Sequence, residues 1–273
     1  MAKRSLSWTE DKIAKFLKEG RGQGEGANYQ PWLTIHDVPS RGLSTRQKGN
    51  KTGRIHHVLS DLERNYLYLL DWSDHVIDIR EQYPLDRERT LQIAEELGYR
   101  HPMDIATQTP IVMTTDFLVT VRREKEVMYI ARTVKRSEEL ENKRTIEKFE
   151  IEREYWTQKN VHWQIVTEKE IPREVCRNLQ FVHGYLMVDE ETRQVSMELL
   201  QYLIVSEEES LSEAFRQFEH RNFLDPGGAL LCFKHLIAAK YVSFDMTRSF
   251  SKRMKLEEIK LSYNNEEMRR WAT

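Results

Sequence analysis

Cysteine is almost missing from this sequence. Of 273 residues only Cys176 and Cys232 are cysteines, and they lie far apart. A disulfide framework and a cysteine-built zinc ribbon are therefore both excluded. Long apolar runs are missing as well: nothing approaches the roughly 18 residues a membrane span needs, and Met1-Ala2-Lys3-Arg4-Ser5 is not followed by the apolar stretch of a secretory signal. Nor does one sign of charge dominate. Lys and Arg total 42 against 44 for Asp and Glu, a formal net charge of -2, which excludes a histone-like nucleic-acid binder while leaving room for a local basic face. These absences describe a soluble, cytoplasmic protein of a reducing compartment, without a membrane partner.

What is present is a chain that is 39% hydrophobic and 32% charged, enough for a packed core under a heavily charged surface. Its charge is unevenly spread. Residues 1–54 hold eleven Lys/Arg and five Asp/Glu. Arg21 sits in the flexible-looking run Gly20-Arg21-Gly22-Gln23-Gly24-Glu25-Gly26, and Arg41, Arg46, Lys48, Lys51 and Arg54 recur through a Ser/Gly/Thr-rich segment. Segments of this kind commonly lie along phosphates; the alternative is an ordinary solvated surface. The glycine pattern is not a dinucleotide fingerprint, because no apolar strand leads into it.

Periodicity gives the elements. Leu59, Leu62, Tyr66, Leu69 and Leu70 form a helical apolar stripe that starts near residues 56–58. Val76-Ile77-Asp78-Ile79-Arg80 reads as a strand, as do 114–122, 127–135 and 161–167, all rich in Val, Ile, Thr and aromatic residues. A long charged helix spans 138–159. Past Pro172 the pattern is mostly helical, with segments 195–204, 211–218 and 229–240 followed by a short strand at 241–244. The expectation is an α/β domain over residues 1–170, a mixed sheet flanked by helices, and a mostly helical, winged-helix-like domain over 171–273.

The hairpin of 114–122 and 127–135 is where chemistry concentrates. Centring its turn between Glu124 and Lys125 places Asp116 opposite Thr133, with Lys135 two residues on and on the same face. Glu63, four residues after Leu59 and three before Tyr66, falls on the margin of the apolar stripe. Glu63, Asp116 and a backbone carbonyl offer hard oxygen ligands for Mg²⁺, and Lys135 could face charge developing on an attacked phosphate. Each residue also has a plain structural reading. Glu63 follows Ser60 by three, as in a capping box, and Asp116 and Lys135 would suit a cross-strand ion pair. His56 and His57 are adjacent and poorly placed to share one ion, Cys232 falls on an apolar helix, and Trp156 and Trp163 suit packing between helix and sheet.

Resemblance adds to this. Gly20-Arg21-Gly22-Gln23-Gly24, Pro31-Trp32-Leu33-Thr34, His56-His57 through Leu59-Ser60-Asp61-Leu62-Glu63, Asp78-Ile79-Arg80-Glu81-Gln82-Tyr83-Pro84-Leu85, Thr115-Asp116-Phe117-Leu118-Val119, Val134-Lys135, Glu152-Arg153-Glu154-Tyr155-Trp156 and Thr167-Glu168-Lys169-Glu170-Ile171 occur in an order that resembles the TnsA family, endonuclease subunits of heteromeric cut-and-paste transposases. The resemblance implies a restriction-endonuclease-like domain of the PD-(D/E)XK class and a winged-helix-like C-terminal domain. It implies Mg²⁺-dependent hydrolysis (Mn²⁺ able to substitute) at the 5′ strands of transposon-end DNA, beside a DDE transposase, TnsB, that cuts and joins the 3′ ends. It also implies contact with an AAA+ regulator, TnsC. Glu63 and Asp116 match the family's metal-binding carboxylates, Lys135 its catalytic lysine, and Val134 the residue lending a main-chain carbonyl to the metal. Thr133 departs from the pattern, standing where the wider class has Glu or Asp and where TnsA commonly has Gln.

Overall fold

The computed structural model describes residues 7–38 and 44–262, and the chain divides into two units, Met1–Ile171 and Pro172–Thr273. Arg41 lies outside the described residues.

In the first unit, helices begin where a polar side chain can take up their free N–H groups. After α1 (Glu10–Lys18), capped by Thr9, the chain forms a small antiparallel hairpin of β1 (Thr45–Lys48) and β2 (Ile55–Val58). Helix α2 (Asp61–Trp72) is capped by Ser60. It leads to β3 (Val76–Pro84), and α3 (Arg87–Glu96) follows, capped by Asp86. Next come β4 (Thr114–Arg123) and β5 (Glu126–Val134); the cap of α4 (Lys143–Gln158) is Asn142, and β6 (His162–Val166) closes the unit.

Strands β3, β4, β5 and β6 form one mixed sheet in that order. The first three are antiparallel neighbours, and β6 runs parallel to β5, joined to it by the α4 crossover. The β4–β5 register pairs Arg123 with Glu126 and Phe117 with Arg132, as a turn between Glu124 and Lys125 predicts. Leu85, Ile93, Leu118, Ala131, Ile151, Tyr155 and Trp156 form a core cluster shared by the sheet, α3 and α4. Tyr66 of α2 meets Phe117 edge-on.

Three local expectations are corrected. The helix does not begin at 56–58: those residues complete β2, and Ser60 turns the chain into α2 with its hydroxyl accepting the Glu63 N–H at 3.1 Å. The buried face of α2 is also rotated from the expected stripe. It consists of Glu63, Leu67, Tyr68, Leu70 and Asp71, so Glu63 lies in that face instead of on its edge. The glycine run is not a free loop either. Gly22 N–H donates to Gln30 O at 2.6 Å and Gln30 N–H to Gln23 O at 3.0 Å. Gly22 has φ +78, and a Cβ there would come within 2.2 Å of Pro84, so only glycine fits the close approach to β3.

The second unit comprises α5 (Arg173–Val182), α6 (Glu190–Val205), α7 (Leu211–Arg221) and α8 (Gly228–Ala238), then β7 (Val242–Phe244) and β8 (Ile259–Leu261), which pair antiparallel. Glu219 of α7 accepts N–H groups from Gly227 and Ala229 at the start of α8 (2.9 and 3.1 Å), a cap supplied from another helix. Cys176 and Cys232 are both buried.

Candidate active site

Three elements aim carboxylates at the end of the β4–β5 hairpin. Glu63 is set by the α2 cap. Its Oε2 accepts the Leu59 N–H and its Oε1 the Ser60 hydroxyl, both at 2.9 Å. Glu63 thus reaches back over the start of α2 without the N-cap backbone bond of a capping box, and it is buried. Asp116 comes from β4; its Oδ2 accepts the Val134 N–H across the hairpin at 2.7 Å. Between them stands Gln82 of β3, 2% exposed, whose Nε2 lies 3.4 Å from Glu63 Oε2 and 3.4 Å from Asp116 Oδ1.

Among the described residues neither carboxylate has a cation in contact. Lys135 does not form the cross-strand pair with Asp116; its Nζ meets Glu139 Oε2 at 2.9 Å, one helical turn along the chain. Its field still reaches both acids and favours their charged forms, but burial outweighs it. Burial raises the Asp116 carboxyl above the usual range. Burial and then the charge of Asp116 raise that of Glu63. Two acids pushed up together in one site, beside a lysine held by an exposed neighbour, are arranged to receive a cation.

A third carboxylate lies behind them. Glu152 of α4 is 2% exposed. Its Oε1 accepts hydroxyls from Thr115 (2.6 Å) and Thr133 (2.5 Å) and the Trp163 indole N–H (3.0 Å). Burial lifts its carboxyl to about 7 against the pull of those donors. Thr115 precedes Asp116 and Thr133 precedes Val134, so Glu152 ties together the two strand segments that carry the site. Thr133 therefore spends its hydroxyl on Glu152. Trp156 and Trp163 pack between helix and sheet, as expected, and each donates to this network.

Sequence reasoning assigned no role to Gln82 or Glu152. For Glu152 a signal existed: it lies on the same face of α4 as Ile151, Tyr155 and Trp156, where an acid is unusual. For Gln82 there was none, because its position opposite Asp116 depends on the β3–β4 register, which pairs Glu81 with Phe117 and Tyr83 with Thr115.

The basic segment separates into two groups. Arg54 is not a phosphate-facing residue: its guanidinium is buried against Glu81, at 2.8 Å to Oε1 and 2.5 Å to Oε2, and donates to Ile79 O at 2.7 Å. His56 Nδ1 is 2.8 Å from Glu81 Oε2, and the His57 N–H donates to Oε1 at 3.0 Å. Burial alone would push the Glu81 carboxyl up, but the field of His56 and the hydrogen bonds of Arg54 hold it at about 2. Arg21 is likewise turned inward, stacked 3.5 Å from the Phe16 ring centre and paired with Asp37 at 2.7 Å. Arg46 and Lys48 differ. They alternate along β1 on its exposed side. Lys51 is half-buried, its N–H donating to Asp71 Oδ1 at 2.9 Å.

Among the described residues, no three His, Cys, Asp or Glu side chains gather closely enough to hold a metal by themselves. Two carboxylates with a nearby main-chain carbonyl nevertheless suit a small hard cation that keeps several waters, and the uncompensated Glu63–Asp116 pair is the feature such an ion would satisfy.

Comparison with known proteins settles the class. Residues 73–168 match the family described as TnsA-like endonuclease N terminal, and residues 170–246 match TnsA endonuclease C terminal; the chain is an endonuclease. "Transposon Tn7 transposition protein TnsA" of Escherichia coli is 40% identical over 257 residues, covering 92% of this chain and 91% of that protein. The chain belongs to the TnsA family.

Proposed function

We propose that this endonuclease is the Mg²⁺-dependent subunit of a transposase that hydrolyses the 5′ strands at transposon ends, acting in the cytoplasm with a DDE transposase of the TnsB kind on the 3′ strands and an AAA+ regulator of the TnsC kind. The observation that carries the reading is the pair of buried Glu63 and half-buried Asp116, which has no cation in contact among the described residues and lies beside Lys135. Glu63, Asp116 and the main-chain carbonyl of Val134 would hold the ion. When bound, Mg²⁺ supplies water activation and neutralises phosphate charge. Lys135, released from Glu139, faces the charge that develops as water adds to phosphorus and a P–O bond breaks. Glu152 fixes Thr115 and Thr133, so that the strand segments carrying Asp116 and Val134 keep their spacing.

Arg46 and Lys48, with Lys51 behind them, would follow the DNA backbone without reading sequence; end recognition then falls to the partner transposase. The order of helices α6 to α8 followed by the β7–β8 hairpin supports a winged-helix-like fold for the second unit, and this is the part assigned to partner contacts. Strand-resolved mapping of cuts at transposon ends, with the partner transposase present, tests the reading. Lys135→Ala and Asp116→Ala should each abolish 5′-strand cuts while 3′-strand cuts persist. Persistent 5′ cuts in both variants would leave a non-catalytic assembly role and overturn it.

A further inference from the structure

Gln82 has a backbone that its surroundings do not explain. It lies inside β3, between Glu81, which pairs with Phe117, and Tyr83, which pairs with Thr115. Yet its φ is +47, the left-handed region that glycine occupies without penalty and a glutamine does not. The site is not a turn, and the residue is 2% exposed. Non-glycine residues persist in such conformations where the surrounding structure over-determines them, commonly at functional sites.

The side chain supplies a reason. Its amide nitrogen carries two N–H groups, one directed at Glu63 Oε2 and one at Asp116 Oδ1, each at 3.4 Å. Its Oε1 accepts the Thr114 hydroxyl, also at 3.4 Å, which fixes the amide with its donors toward the acids. The main-chain carbonyl accepts the main-chain N–H of the buried Trp32 at 3.2 Å, so the bend is also held by backbone. A neutral donor is the appropriate group here. A cation in its place would compensate the pair permanently and compete with a metal, whereas a hydrophobic residue would leave two acids repelling one another.

We infer that Gln82 is a positioning residue for the metal, its amide bracketing the Glu63 and Asp116 carboxylates in the convergent arrangement a divalent cation requires. This rests on the reading of the site as a metal-dependent nuclease centre. The contacts are long for hydrogen bonds, which suits a bracket whose partners shift by a fraction of an ångström onto an ion. The left-handed backbone is what aims the amide inward from the middle of a strand. Gln82 stays outside the coordination sphere and acts through the two carboxylates.

The test uses the full chain and Mn²⁺ alone, titrated by calorimetry, with thermal unfolding without metal as a control. Gln82→Gly removes the side chain and relieves the backbone; Gln82→Met keeps length and backbone and removes the donors. Both should unfold no more than a few degrees below wild type, with Gln82→Gly the more stable of the two, and both should bind Mn²⁺ about tenfold or more weakly. In strand-cleavage assays the Mn²⁺ concentration giving half-maximal rate should rise by a similar factor, while the rate at saturating Mn²⁺ stays within a few-fold of wild type. A folded variant of either kind that binds Mn²⁺ within twofold of wild type overturns the inference and leaves the nuclease reading standing. Wild-type protein that binds no Mn²⁺, together with an Asp116→Ala variant that still cuts, overturns both.

Discussion

Two carboxylate sites meet β3 at adjacent residues, Glu81 and Gln82, and they are built in opposite ways. Glu81 is fully buried and fully compensated: Arg54 grips both its oxygens, His56 contacts one and the His57 N–H another. Its carboxyl is held low, and it fastens the β1–β2 hairpin to the sheet. Glu63 and Asp116, bridged by Gln82, have only neutral donors and are pushed up by burial. What separates the salt-bridged acid from the pair proposed to hold a metal is the partner: Glu81 has cationic partners, whereas Glu63 and Asp116 accept from neutral donors.

Substitutions should separate the two sites cleanly. The largest effect expected on activity is from Asp116→Asn, which should lower 5′-strand cleavage by about three orders of magnitude or more, the loss that follows removal of charge-stabilising groups in such centres. Unfolding without metal should show this variant at least as stable as wild type. The largest effect on stability is expected from Arg54→Ala, which strips the guanidinium from both oxygens of the buried Glu81. With only His56 and the His57 N–H left on Glu81, it should cost about 3 kcal/mol in chemical denaturation. A variant that lost DNA affinity instead, with stability intact, would return Arg54 to the DNA-facing group.

Glu152 gives the pH dependence. Its carboxyl is raised from the ordinary 4.5 to about 7, so the folded state holds a proton that the unfolded state releases across that window. Stability without metal should therefore be highest near pH 5 and fall as pH rises toward 8, by roughly 3 kcal/mol from this group. Glu152→Gln, whose carbonyl can accept the same donors, should reduce that slope by this group's share, the raised Glu63 and Asp116 carboxyls keeping the rest. Glu81 has the opposite sign: its contribution is present above about 4.5 and is lost as pH falls toward 2.

Smaller effects test the edges of the contrast. Ser60→Ala should cost about 1 kcal/mol through the lost α2 cap and, by loosening Glu63, weaken metal binding as well. Arg46→Ala and Lys48→Ala should leave the unfolding temperature unchanged and each lower the slope of log affinity for DNA against log salt by about one.

The readable parts of this fold are those fixed by local pattern. The β4–β5 hairpin could be registered from its turn, and that register brought Asp116, Val134 and Lys135 to one end of the sheet. Helix α2 was legible as a helix but not in its rotation. Its buried face carries Glu63 and Asp71, where Asp71 accepts the N–H groups of Asn50 and Lys51, and a search for apolar periodicity places such acids outside. The Arg54–Glu81 pair spans 27 residues and leaves no local trace, so Arg54 read as one more basic residue among several. Gln82 was hidden twice, by a register between distant strands and by a left-handed backbone that no glycine announced.

The most direct test is anomalous diffraction from crystals of the full chain grown with Mn²⁺. A peak about 2 Å from carboxylate oxygens of both Glu63 and Asp116, lost in crystals of Asp116→Asn, is the predicted result. A fully occupied Mn²⁺ site elsewhere in the first unit, with those two carboxylates bare, would contradict it.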